Sequence, residues 1–331
     1  MAGFNGMSDI TNLPFMSFMI PTYNADKYLQ LCLESIFSQE YPKDKIEVLI
    51  IDGGSKDDTM EISRRFPVRI LKNPKRLAEI GLAIGVRESK GDFIVAFAAD
   101  NALPTRLWLR KMIKPFQENK DLAGAFPFPE VNPRNSSMNR YYCHIRTDPL
   151  SYFVFDSFGN RLKTYDPILS RDGYDIFVFP KENCPLIALA QGFVFKREAT
   201  PKSIALDDVA PFCEMVLKGY KLALVHEVGI YHYHLENLKS FVRKYVFRAI
   251  TRLNRSAERP GLMSRRRKVR MLLWFLYSLS WVWPCIDSIK GYKEEPDVAW
   301  FYHPLACFLF TMINVLVGFK GLRRTLAYIS S

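Results

Sequence analysis

From Ser17 to Phe126, short continuous apolar runs alternate with stretches whose apolar positions recur every three or four residues. The runs "SFMI" (17–20), "IEVLII" (46–51), "VRIL" (68–71), "FIVAF" (93–97) and "LAGAF" (122–126) have the length and polar bounds of strands covered on both faces. Between them, Tyr28, Leu29, Cys32, Leu33, Ile36 and Phe37 share one face of a helix over 25–38, and further helices are predicted over about 58–65, 77–88 and 105–118. This alternation predicts an α/β fold with a largely parallel sheet. In such open sheets ligands bind outside the carboxyl ends of the strands, where Asp100 ends "FIVAFAAD". Taken alone, Asp100 serves equally well as the start of the turn before Pro104.

The rhythm breaks over 127–190, a mix of proline, aromatic and polar residues that suits a lid or a substrate-binding insertion. It returns with a strand at "GFVFKRE" (192–198), a helix over 208–218 closed by Gly219, and a strand at "KLALVHE" (221–227). From 239 the pattern changes. Phe241, Val242, Tyr245, Val246, Ala249, Ile250 and Leu253 form an apolar stripe at helical spacing, with Arg243, Lys244, Arg248, Arg252 and Arg255 largely off it. A basic amphipathic helix of this kind suits an anionic membrane surface, or else packs on its own domain.

Two apolar segments without Asp, Glu, Lys or Arg follow, "MLLWFLYSLSWVWPCI" (271–286) and "VAWFYHPLACFLFTMINVLVGF" (298–319). As helices they measure about 24 and about 33 Å, so the second can cross a bilayer core of about 30 Å and the first is marginal. Pro284 and Pro304 leave room for a kinked or re-entrant pair, and both segments are rich in the aromatic residues of membrane interfaces. "SRRRKVR" before the first and "KGLRR" after the second place both ends of a hairpin on the cytoplasmic face. The expected organisation is an α/β body over 1–238, a basic membrane-surface segment over 239–270 and a membrane hairpin over 271–331.

Charge sharpens this division. The net +12 of the 331-residue chain resides almost wholly in 239–270, where twelve Lys/Arg face only Glu258. Nucleic acid is not the expected partner, because aromatic-rich apolar segments adjoin the belt and favour lipid. Six scattered cysteines without metal-ligand spacing predict reduced thiols and a body facing the cytoplasm, and "MAGFNGMSDITNLPF" carries no signal-peptide pattern.

Candidate chemistry gathers at the predicted strand ends: "PTYN" (21–24) after the first strand, "DGGS" (52–55) after the second, Asp100 after the fourth, and "LDD" (206–208) at a helix start. No GxGxxG or GxxxxGK[ST] is present, so dinucleotide and P-loop readings fail. Over about 15–250, and most closely over 17–104, the sequence resembles the family 2 glycosyltransferases of GT-A fold. Those enzymes have a P-x-Y-N turn and a D-D/G-G-S-x-D turn. "NPKRLAEIGLAIGVRESKGDFIVAF" resembles their membrane-attached, polysaccharide-building branch. The resemblance implies a nucleotide-sugar site at Pro21, Thr22, Tyr23, Asn24, Asp52, Gly53, Arg76 and Asp100, with Asp52 accepting hydrogen bonds from the base. Glycines at 53 and 54 permit the close backbone approach such a ligand needs.

In the family the fourth strand ends in Asp-x-Asp, which holds a divalent metal on the sugar diphosphate; here the triplet is Ala98, Ala99, Asp100. The resemblance therefore implies Mg²⁺ or Mn²⁺ on one carboxylate, with His232 and His234 of "YHYH" as further ligands or as structural histidines. It also implies Asp208, beside Asp207, as the base of an inverting transfer, a position where aspartate also caps helices. The expected function is transfer of a sugar from a nucleotide-sugar to a lipid-linked or growing glycan acceptor at the cytoplasmic membrane face. The alternative raised by Ala98 is a membrane-tethered, catalytically weak or inactive nucleotide-sugar binder.

Overall fold

The computed structural model describes residues 13–155, 162–252, 259 and 261–329. Residues 1–12 of the stretch read for a signal peptide, and Leu253 and Arg255 of the amphipathic segment, lie outside the described residues. In chain order the elements are β1 (Met16–Thr22), α1 (Asp26–Phe37), β2 (Ile46–Asp52), α2 (Thr59–Arg64), β3 (Arg69–Lys72), α3 (Ala78–Glu88), β4 (Phe93–Phe97), β5 (Asn101–Ala102), α4 (Trp108–Glu118) and β6 (Leu122–Pro129). There follow α5 (Ser137–Ile145), α6 (Pro149–Val154), β7 (Leu169–Arg171), β8 (Tyr174–Phe177), β9 (Gln191–Lys196), α7 (Ala210–Leu217), β10 (Lys221–His232), α8 (Leu238–Arg252), α9 (Arg265–Ser280), α10 (Val282–Glu294) and α11 (His303–Ile329).

The chain forms two compact units. The first comprises Met1–Glu130, Tyr165–His232 and Arg259–Leu262. It is built on a mixed sheet in the order β3-β2-β1-β4-β9-β6-β10-β8-β7, with β5 on β10. β3, β2, β1 and β4 run parallel, as do β6 and β10, while β9 lies antiparallel between β4 and β6. The interiors of β1, β2 and β4 are buried almost residue by residue, which is why they read as unbroken apolar runs. Helix α1 buries Leu29, Cys32, Leu33 and Ile36, the face its periodicity marked. Helix α4 buries Trp108, whose Nε1 donates to Gly229 O of β10 at 2.9 Å. Because β1 lies between β2 and β4, the strand order reverses there. Crossovers leave opposite faces on either side, and their strand ends open a crevice.

Within 127–190, where the apolar pattern is irregular, the first unit holds the β7–β8 hairpin. Asp172 and Gly173 form its two-residue turn, Gly173 at φ +92°.

The second unit comprises Val131–Thr164, Tyr233–Glu258 and Met263–Ser331. Met138, Tyr141 and Ile145 of α5, Tyr152 of α6, Phe241, Tyr245 and Ala249 of α8, Trp274 and Tyr277 of α9, and Cys307 and Phe310 of α11 form one core. Of the apolar stripe of α8, Phe241, Val242, Tyr245, Val246 and Ala249 are thus occupied within this unit, whereas Ile250 is 54% exposed. The segment Val298–Gly318 is long and apolar enough to cross a membrane, and 39% of its most apolar window is buried inside the unit. Helices α9 and α10 meet at 91°. The bend falls at Trp281 (φ 60°), and Pro284 sits in the first turn of α10, where its missing N–H costs nothing.

Candidate active site

Strand ends of the first unit carry the candidate residues. Thr22 ends β1 and Asp52 ends β2, paired in register. The Asp52 carboxylate accepts from Thr22 Oγ1 (3.2 Å) and Ser55 Oγ (2.5 Å) on one oxygen, and from Gly54 N (2.8 Å) and Ser55 N (3.0 Å) on the other. A carboxylate offers about four lone-pair positions, so Asp52 folds the "DGGS" loop with its full acceptor capacity. Gly53 N donates to Thr22 O at 2.8 Å, and a Cβ on Gly53 would lie 3.3 Å from that oxygen and from the Tyr23 ring. Asn24, at φ 49°, locks the two turns together: its N–H donates to Ser55 Oγ and its Oδ1 accepts from Lys56 N, both at 2.9 Å. Arg76, also left-handed at φ 57°, holds its guanidinium 5.4 Å from the centre of the half-exposed Tyr23 ring. Pro21 pairs with Ile51 and is approached by α3 at Gly81, where a Cβ would come within 2.9 Å of it. The donor set Pro21, Thr22, Tyr23, Asn24, Asp52, Gly53 and Arg76 therefore assembles around two interlocked turns.

The end of β4 is organised by a segment that sequence patterning did not single out, Leu189–Gln191. Ala190 O accepts from Ala98 N (3.0 Å) and from Asn101 Nδ2 (2.9 Å), closing the turn that carries Asp100. The N–H of the same residue donates to Asp208 Oδ1 at 2.8 Å, and Leu189 N donates to Asp208 O at 2.9 Å. One residue thus links the Asp100 turn to Asp208. β9 then bulges: Ala96 pairs with Phe193 and Phe97 with Gln191, leaving Gly192 unpaired at φ +80°. The bulge aims Gln191 at His232, Nε2 to Nδ1 3.4 Å, and His232 Nε2 lies 3.3 Å from Asp100 Oδ2. Pairing of Asn101 with His232 brings the two segments side by side. The signal was present as a glycine after "ALAQ", the kind of isolated glycine that marks a bulge in a strand.

Asp207 and Asp208 have different surroundings. Asp207 Oδ1 accepts from Val209 N (2.7 Å) and Ala210 N (2.5 Å) at the start of α7, and its Oδ2 receives Arg259 Nε at 2.6 Å. That carboxylate braces the turn into α7, whose N-cap is Val209, and is neutralised by a guanidinium. Asp208 is partly buried and faces the Leu189–Ala190 backbone.

Asp100 and His232 offer one carboxylate oxygen and one imidazole nitrogen within reach of a common ion, a donor set suited to Mn²⁺ and tolerable to Mg²⁺. His234 follows two residues on and belongs to the second unit, where its N–H donates to Asn139 Oδ1 at 2.8 Å.

Residues 17–172 match the model of Glycosyl transferase family 2. A dolichyl N-acetyl-α-D-glucosaminyl phosphate 3-β-D-2,3-diacetamido-2,3-dideoxy-β-D-glucuronosyltransferase of Methanococcus voltae is 35% identical over 113 residues, 32% of this chain and 35% of that protein. Glycosyltransferase AglE of Haloferax volcanii is 36% identical over 107 residues, 30% of this chain and 35% of that one. The aligned part is thus about a third of the length of these curated relatives. Among solved structures, the mannosyltransferase PcManGT of Pyrobaculum calidifontis, in complex with GDP-Man and Mn²⁺, superposes with a TM-score of 0.55. It covers 93% of this chain and 88% of that one at 16% identity, a likeness of fold. The match over 17–172 and this likeness agree with the strand-end geometry: the chain carries a family 2 glycosyltransferase domain of GT-A fold.

Proposed function

We propose that the protein is an inverting transferase that moves a sugar from a nucleotide-sugar to a lipid-linked glycan acceptor at the cytoplasmic face of a membrane. The observation that carries this reading is the link through Ala190, whose carbonyl fixes the turn of Asp100 and whose N–H fixes Asp208. In the reading, the nucleoside lies against Tyr23 and the "DGGS" loop, and Arg76 approaches the diphosphate. Asp208 accepts the proton of the acceptor hydroxyl as its oxygen bonds to the anomeric carbon, while the bond from that carbon to the diphosphate breaks and the leaving group keeps the electron pair. Asp100 and His232 would hold a divalent cation, Mg²⁺ or Mn²⁺, with His234 as a further ligand. The cation supplies positive charge to the departing diphosphate. The lipid-linked acceptor is supported by the dolichyl phosphate substrate in the name of the Methanococcus voltae relative and by the apolar C-terminal segments.

The test is nucleoside diphosphate release by the full chain, measured over a panel of nucleotide-sugars with Mn²⁺, with and without lipid-linked acceptors. One donor should turn over, faster with acceptor, and excess EDTA should stop it. Tight donor binding without any turnover would instead favour the non-catalytic binder that Ala98 suggests.

A further inference from the structure

The second unit leaves a continuous apolar surface uncovered. On α9, Trp274, Tyr277 and Ser278 face the core, while Met271, Leu272, Leu273, Phe275, Leu276 and Leu279 face outward, Leu272 80% and Leu276 72% exposed. The surface continues round the bend through Trp281, Val282 and Trp283. Soluble monomers rarely expose contiguous apolar patches of more than a few hundred Å², so something covers this one.

Its geometry selects the occupant. Exposed Arg265, Arg266 and Lys268 open α9, and the far end of α10 is charged with both signs, exposed Lys290 and Lys293 beside Asp287 and Glu294, so both limbs begin in charged residues and meet in an uncharged, tryptophan-bearing elbow. That order, charge outside and indole inward, matches the depth profile of one lipid leaflet. The elbow is too short to span: Met271–Ser280 is about 15 Å of helix against a core of about 30 Å, and the chain then turns through 91°. With both limbs inclined equally, the tip reaches about 10 Å below the charged ends, the depth of an interfacial helix.

We propose that the α9–α10 elbow is a monotopic wedge, entering one leaflet tip first and leaving on the side it entered, with its terminal cations on lipid phosphates. This rests on the membrane-apposed reading above but not on its transfer chemistry.

The full chain can be tested on sealed phosphatidylcholine–phosphatidylglycerol vesicles. Of five tryptophans, Trp108, Trp274 and Trp300 are buried, so emission quenched by brominated lipids reports Trp281 and Trp283. Bromines near the headgroup should quench more than bromines deep in the chains, and Trp281→Phe with Trp283→Phe should remove the effect. Of the six cysteines only Cys285 is exposed. In a Cys285→Ser background, Lys290→Cys should therefore react with an impermeant maleimide added outside, to the same extent before and after detergent. Labelling only after detergent, or stronger quenching by deep bromines, would overturn the wedge in favour of a span while leaving membrane attachment intact. If the chain turns over donor yet ignores vesicles, the wedge fails and the transferase stands. A lipid-free dimer abolished by Leu272→Asp with Leu276→Asp would assign the patch to a second copy; those outward-facing sites leave the core intact, so the variant should keep the parental circular dichroism.

Discussion

At the scale of residues, the proposed chemistry gives the adjacent acids Asp207 and Asp208 separate duties. Asp208→Asn keeps the shape that meets Ala190 N–H but cannot take a proton, so donor binding should persist while turnover falls by about 10²-fold or more. Asp207→Asn leaves Asp208, the proposed base, in place and weakens the turn into α7 and its ion pair with Arg259, so its cost should appear as about 1–3 kcal/mol of stability with turnover largely kept. Calorimetric donor binding beside steady-state rates separates the two; a dead Asp207→Asn with a fully active Asp208→Asn would exchange their roles. The family resemblance pointed to Asp208, but local patterning could not divide the two, because both residues suit a helix start and the partners lie at 189–190 and 259. Gln191 is a positioning residue of the same kind. With a cation on His232 Nε2, the ring proton would sit on Nδ1, and the Gln191 amide, whose Nε2 lies 3.4 Å from Nδ1, would turn over to present its oxygen. Gln191→Leu should raise the Mn²⁺ concentration needed for half-maximal rate by about 10- to 100-fold, with the rate at saturating Mn²⁺ much less affected.

Among elements, legibility followed burial. β4 occupies the predicted 93–97, and β1 and β2 differ from their apolar runs by one or two residues, because strands covered on both faces must be apolar throughout; the edge strand β3, exposed at Ile70 and Lys72, is shifted by one residue from its run and is not covered on both faces. The irregular stretch at 127–190 hid two helices and a hairpin, since α5 and α6 bury tyrosine, cysteine and histidine in place of a simple aliphatic stripe. Local signals there were the Asp172–Gly173 turn and the helix starts at Ser136 and Asp148–Pro149. Helix α7, which carries the candidate base at its entrance, is braced by Glu214. Burial raises its pKa, but the Lys218 ammonium and the backbone N–H groups of Lys202 and Ser203 outweigh that and hold the carboxyl down at about 2. A depressed carboxyl contributes stability that is complete above its usual range near pH 4.3 and disappears as pH falls toward 2. Glu214→Gln should therefore lower stability at pH 7 and flatten the loss between about pH 4.5 and 2, read by urea unfolding at each pH. An unchanged slope across that window would mean that Glu214 does not brace α7 in solution.

For the whole molecule, the interleaving of 131–164 with 233–258 and 263–331 in one unit decides how membrane binding can be probed. Cutting the chain after Gly261 would strip Trp274, Tyr277, Trp300, Cys307 and Phe310 from a core that also holds Tyr141, Tyr152, Phe241 and Tyr245, so the remnant would report misfolding as much as lost attachment. Point changes on the outer face avoid this. On the proposed reading, two forces would hold the intact chain on an anionic bilayer. Basic residues near the surface contribute about 1 kcal/mol each at low ionic strength, and the Debye length shrinks to about 3 Å at about 1 M salt, which removes most of that. The apolar elbow contributes about 1.5–3 kcal/mol for each large side chain it fully buries, which salt does not reverse, so four or five such residues outweigh the screened charges. The full chain should therefore stay with sedimented vesicles through a wash of about 1 M salt and be released by detergent. Leu272→Asp with Leu276→Asp, two of the most exposed apolar positions, should convert it to a protein that binds at low salt and is washed off at high salt. Release of the parental chain by salt alone would mean that the belt over 239–270 carries the attachment and that the elbow does not insert.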